Sequence, residues 1–213
     1  MNVMTSDQPV LSIKSEHEFL QDQAQAMRAA VYELLGRLLA RQPDEDMLKR
    51  LGSIGEVDAS DGQIAMGWEL MKQASLKFDQ EAVHDEYFSL FIGVGRGELV
   101  PFGSWYITGF LMEKPVALLR AELIRLGIER QEGVVESEDH ISALCDAMAL
   151  IIRNSEEIPL DTQRQFFNDH LAPWVGRFFN DMQNAKAAHF YRSVGFFGES
   201  FFEFEQQLLD MQS

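Results

Sequence analysis

Cysteine is almost missing from this chain: Cys145 stands alone among 213 residues. No disulfide can form within the chain, and no thiolate cluster can hold a metal. Basic residues are short as well, 18 lysines and arginines against 34 aspartates and glutamates, for a formal charge of −16. That balance argues against nucleic-acid binding by counterion release and against attraction to anionic membranes, and it favours basic partners. No uninterrupted apolar run approaches the roughly 20 residues of a membrane span. The opening MNVMTSDQPV has neither a basic stretch nor an apolar core behind it, so no export leader is expected and the cytoplasm is the expected compartment. Sustained β alternation, fixed-period repeats and low-complexity tracts are all missing.

What is present is helical patterning. Apolar residues make up 46% of the chain, enough for a globular core in one domain or two closely packed ones. After a polar start, Leu20, Ala24, Met27, Val31, Leu34, Leu35 and Leu38 fall at helical steps and are expected to face the core. Pro43 with Asp44, Glu45 and Asp46 opens a short helix ending near Gly52, and residues 52–62 read as a linker. Helical spacing resumes at Ile64, Trp68 and Met71, and again from Asp79 through Val83 and Tyr87 to Phe91. Pro115 begins a helix that Gly127 stops. Ser137 is an expected N-cap for the next helix, whose face runs Ile141, Leu144, Cys145, Met148, Ile151 and Ile152. Pro159 and Pro173 open two more, and Gly195 and Gly198 are expected to interrupt the aromatic tail before a final helix. The spacing predicts an all-α fold of about ten helices in two halves. Residues 1–127 form the first half, 128–137 a hinge, and 138–213 the second.

One stretch departs from this patterning. Residues 87–114 read YFSLFIGVGRGELVPFGSWYITGFLMEK, in which Gly93, Gly95 and Gly97 break an amphipathic run and Phe102, Trp105 and Tyr106 follow. Dense glycine abolishes regular helix and permits close backbone approach. A phosphate loop is disfavoured: the glycines alternate, no Gly-Lys-Ser/Thr follows, and no βαβ unit surrounds them. A metal site from Glu136, Asp139, His140 and His84 lacks the tight spacing of four-ligand sites. Cys145 lies on an apolar helix face, so nucleophilic catalysis is not expected of it. An irregular aromatic loop on an acidic helical scaffold suits an amphipathic helix or an extended peptide instead.

The segment resembles the signature of the TorD/DmsD family of redox-enzyme maturation chaperones. The matching elements are Tyr87-Phe88-Ser89-Leu90-Phe91, the glycine-rich stretch Gly93 to Pro101, and Ser104-Trp105-Tyr106. A second family element, Glu-Pro-x-Asp-His, corresponds to Glu136-Ser137-Glu138-Asp139-His140, with serine where the family has proline. The resemblance implies a non-enzymatic, cytoplasmic chaperone without a cofactor of its own. It would bind the twin-arginine signal peptide and apo-form of an exported molybdenum-cofactor oxidoreductase, as a monomer or a domain-swapped homodimer. Tyr87, Leu90, Phe91, Trp105 and Tyr106 would take the apolar part of that peptide, and Glu136, Glu138 and Asp139 its arginines. His140 would couple the two halves across the hinge. The alternatives are an adaptor docking on a folded enzyme, or a nucleotide- or metal-binding enzyme using the glycine-rich loop.

Overall fold

The apolar spacing folds as helix almost throughout. The computed structural model describes residues 16–55, 58, 60, 62–129 and 136–211; residues 130–135 of the expected hinge and 56, 57, 59 and 61 of the expected linker lie outside them. In chain order the helices are α1 (Glu16–Ala40), α2 (Glu45–Gly52), α3 (Gln63–Lys77) and α4 (Gln80–Tyr87). They continue with α5 (Gly103–Thr108), α6 (Lys114–Arg125), α7 (Ile141–Arg153), α8 (Leu160–His170), α9 (Val175–Asn184) and α10 (Phe190–Met211). Among the described residues no strand forms, only an isolated bridge between Phe102 and His140.

Local chemistry sets the ends. Asp44 and Asp79 cap α2 and α4 by accepting from the N–H groups of Met47 and Ala82, at 2.8 and 2.9 Å. Pro115 sits in the first turn of α6, where its missing N–H costs nothing, and Gly127 leaves the helix at φ 69°. Ser137 does not cap α7. His140 does, its Nδ1 accepting from the Ser142 N–H at 3.2 Å, while the Ser137 carbonyl closes a turn on the His140 N–H.

The core is continuous across the expected halves. α1 packs along α7, and α10 packs on both α3 and α9. Aromatic rings from α1, α9 and α10 fill the centre: Tyr32 meets Phe201 edge-on at 4.9 Å, and Phe178 meets Phe179 at 5.1 Å. Such pairs add about 0.5–1.5 kcal/mol each beyond the burial itself.

Two further expectations are corrected here. Leu20 and Met27 are 57% and 65% exposed, because the inward stripe of early α1 runs through Gln25, Arg28, Ala29 and Tyr32. Arg28 is buried and forks onto Glu205 of α10 at 2.7 and 2.8 Å, with Gln25 and Gln163 completing its bonds. The tail is one unbroken helix, and its glycines serve packing: a Cβ on Gly198 would lie 2.3 Å from the Phe179 ring. Glu138 and Asp139 both precede the cap of α7. Glu86 supplies a comparable service to α10, where its carboxylate accepts from the N–H groups of His189, Phe190 and Tyr191 at 2.6–2.9 Å.

Candidate functional site

The unusual stretch begins as a π-helical turn, Phe88–Ile92, continuing α4. It closes with the Gly93 N–H on the Phe88 carbonyl at 2.7 Å. Gly93 has φ 57°, and a Cβ there would sit 2.2 Å from the Arg96 carbonyl oxygen; at Gly97 it would sit 2.5 Å from that of Leu90. The loop is therefore folded backbone against backbone on its own π turn. Its Glu98 carboxylate accepts from the N–H groups of Lys186 and Ala187, tying the loop to the start of the tail.

The loop then meets the acidic segment. The Gly103 N–H donates to the Asp139 carbonyl at 2.9 Å, and the Ile141 N–H donates to the Pro101 carbonyl at 2.9 Å. The Ser104 N–H donates to Asp139 Oδ2 at 2.8 Å, so Asp139 holds the first turn of α5. The two motifs, 35 residues apart at this contact, form one structural unit.

Within it the side chains separate. Leu90 is fully buried, and Tyr87 is 8% exposed with its hydroxyl donating to the Leu39 carbonyl. Burial, and to a lesser degree Glu136, pushes the Tyr87 phenol up to about 12. Phe91 is half-buried between Tyr87 and Tyr191, at 4.9 and 5.3 Å. The Arg96 guanidinium covers the half-buried Trp105 ring at 4.9 Å. Tyr106 lies against Trp174 and donates its hydroxyl to Asp181 at 3.0 Å. Glu136 is exposed, whereas Asp139 and His140 are 3% and 7% exposed.

Three hollows divide these residues. Trp105 and Tyr106 line a polar depression of about 350 Å³ with Arg96, Glu98 and Asp181. Asp139 lines a larger cavity of about 810 Å³, bounded by Ser104, Ile107 and Thr108 of α5, Leu118 of α6, and His170. Glu136 and Glu138 border a third, of about 480 Å³, between α6 and α7. Tyr87, Leu90 and Phe91 line none of the three.

A family model described as nitrate reductase delta subunit matches residues 58–180, more than half of the chain. The chaperone protein TorD of Vibrio atlanticus (strain LGP32) is 23% identical over 202 residues, covering 85% of this chain and 94% of the relative. The chaperone protein TorD of Shewanella loihica (strain ATCC BAA-1088 / PV-4) is 23% identical over 194 residues, 82% of this chain and 89% of its own. A crystal structure described as a redox enzyme maturation protein, from Archaeoglobus fulgidus, shares the fold at TM-score 0.53 and 20% identity, covering 92% of this chain and 99% of the other.

The chain belongs to the TorD-like family of redox-enzyme maturation chaperones. It is a chaperone and not a catalytic enzyme, so what its hollows can hold matters more than what they can react. Among the described residues, no group of three His, Cys, Asp or Glu is placed to hold a metal ion. No helix there is long and apolar enough to cross a membrane.

Two features of this TorD-like chaperone escape sequence reading. Asp139 Oδ1 is buried and accepts no hydrogen bond, while Oδ2 accepts from the Ser104 N–H. Beside the same cavity Ile107, Phe110, Leu111 and Met112 expose 43–68% of their surface, and Met112 takes φ 61°. The Met112 N–H donates to Ser104 Oγ at 3.3 Å, which joins this apolar loop to the Asp139 cap. Its only sequence signal was a short apolar run directly after Gly109.

The His140 side chain hydrogen-bonds within its own segment and meets the first half by packing. Its Nδ1 lies 2.6 Å from Ser142 Oγ and accepts from the Ser142 N–H, which places the ring proton on Nε2. Burial lowers its pKa to about 4, against an opposing pull from Glu136 and Asp139. The ring is neutral at pH 7 and packs edge-on against Phe102 at 5.0 Å. Connection to the glycine loop runs through the backbone on either side of it.

Proposed function

We propose that this chaperone works in the cytoplasm on an exported molybdenum-cofactor oxidoreductase, binding its twin-arginine leader and apo-form until the cofactor is inserted. The observation that carries the reading is Asp139 Oδ1, a buried acceptor without a donor on the wall of the 810 Å³ cavity. A buried acceptor left unsatisfied costs about 1–3 kcal/mol, more when charged, and a ligand guanidinium or ammonium would remove that cost. A leader that is basic and then apolar finds both chemistries here: Asp139 within, and Ile107, Phe110, Leu111, Met112 and Leu118 exposed beside it. Tyr87, Leu90 and Phe91 act behind this surface by holding the glycine loop. Trp105, Tyr106 and Glu136 belong to the neighbouring hollows, within reach of a longer peptide. Bound precursor is stabilised by mass action, by about 2.7 kcal/mol at a hundredfold excess of chaperone over Kd.

Asp139→Asn tests the reading while keeping an oxygen for the Ser104 N–H. Calorimetric titration with a twin-arginine leader peptide is expected to show affinity down roughly tenfold or more. A leader carrying glutamine in place of both arginines is expected to bind parent and variant alike. Equal affinity of parent and variant for the natural leader removes Asp139 from the site.

A further inference from the structure

Helix α6 stands between two of the hollows. Leu118 and Glu122 face the Asp139 cavity, while Arg120, Leu123 and Ile124 face the groove against α7. We propose that this α6–α7 groove is a second docking surface, one that receives a basic amphipathic helix of the client protein outside its leader. The inference goes beyond the leader reading and does not need it to hold.

Shape and apolarity come first. The groove has a volume of about 480 Å³ and runs between two helices, with Leu123, Ala143 and Ala147 along it. Ala143 and Ala147 lie four apart on α7, so their small side chains leave a trench in which a third helix can approach closely. At its edges Ile124 and Leu150 are 77% and 48% exposed. Apolar side chains at helical spacing on a partner would meet them.

Charge chooses the partner. Among the described residues, Glu129, Glu136, Glu138 and Asp146 border the groove, and Arg120 beside them pairs with Glu138 at 2.9 Å. Burial raises the Asp146 carboxyl pKa, with Glu33 adding to the effect, so a cation set beside it would stabilise its ionised form. A polyanion is repelled by such a rim. A second copy of this chain is disfavoured too, since it carries the same −16 and the same acidic border. A helix with lysine or arginine flanking an apolar face matches both features.

The test uses the full chain and a synthetic helical peptide of leucine and lysine at i, i+3, i+4, i+7 spacing, followed by fluorescence anisotropy. Ile124→Lys removes an edge residue and adds repulsion; Leu76→Lys makes the same chemical change on α3, at a residue 64% exposed and outside the groove. The expected result is a loss of roughly tenfold for Ile124→Lys against about twofold or less for Leu76→Lys. Both sites are exposed, so both variants should keep the parent's helicity by circular dichroism. Equal losses would reduce the effect to net charge and overturn the proposal. A peptide with serine for every leucine, binding as tightly as the original, would overturn it as well. Asp139→Asn is expected to leave this binding unchanged; a comparable loss there would merge the two hollows into one site and remove the claim of a second surface.

Discussion

Glu86, Glu98 and Asp139 each direct a carboxylate at backbone N–H groups far along the chain: at the start of α10, at residues 186 and 187, and at the start of α5. Part of the acidity that reads as surface charge is thus internal structure. His140 belongs to the same scale and carries a pH dependence whose sign follows from its environment. Its folded pKa is about 4, below the ordinary 6.5, so the unfolded chain binds the proton first as pH falls. The favourable state is fully present above pH 6.5 and is lost progressively down to about pH 4. The full shift corresponds to about 3 kcal/mol. Urea denaturation at pH 7.5 and pH 4.5 is expected to show a steeper loss of stability for the parent than for His140→Asn, whose amide keeps an acceptor for the Ser142 N–H. Parallel losses would mean that other groups carry the acid sensitivity.

Among the elements, α10 gives the sharpest test of packing against propensity. Alanine in place of Gly198 gains about 1 kcal/mol of helix propensity. It also places a methyl group into the Phe179 ring, which faces the same Phe202 that stacks toward Phe167. Overpacking costs about 1–3 kcal/mol, so the clash outweighs the propensity. Gly198→Ala is expected to lower the midpoint of thermal unfolding; a rise would show that α9 yields easily. The same helix marks the limit of sequence reading. Glycines inside an aromatic run look like an interruption until the partner ring is in view. The helix starts at Asp44 and Asp79 were legible from local spacing, and their caps act on N–H groups only three residues on. Asp139 was legible as important through its motif but not as the cap of α5, since its partner lies 35 residues earlier. The inward polar stripe of α1 was misread for the same reason: Glu205, which makes Arg28 tolerable inside, is 177 residues away. The two motifs were legible as a pair, whereas their division among three hollows needed the packing of α5 between them.

Over the whole molecule, the net charge of −16 should act on encounter more than on the docked state. Stopped-flow association with a leader peptide is expected to slow by roughly an order of magnitude between about 0.05 and 0.5 M salt, with dissociation changing far less. A rate indifferent to salt would separate the acidity from recognition. Exchange of residues 138–211 between two copies about the expected hinge would return each α1 to an α7 of the partner, so the same contacts would serve a monomer or a swapped dimer. The buried pair of Arg28 and Glu205 adds a matter of timing. A ribosome adding about 5–20 residues each second needs roughly ten to thirty-five seconds to bridge the 177 positions between them. Until then the arginine of the first helix has no counter-ion to enter the interior with. The nascent chain must keep that helix hydrated, and the finished interior can assemble only once translation has passed the last helix.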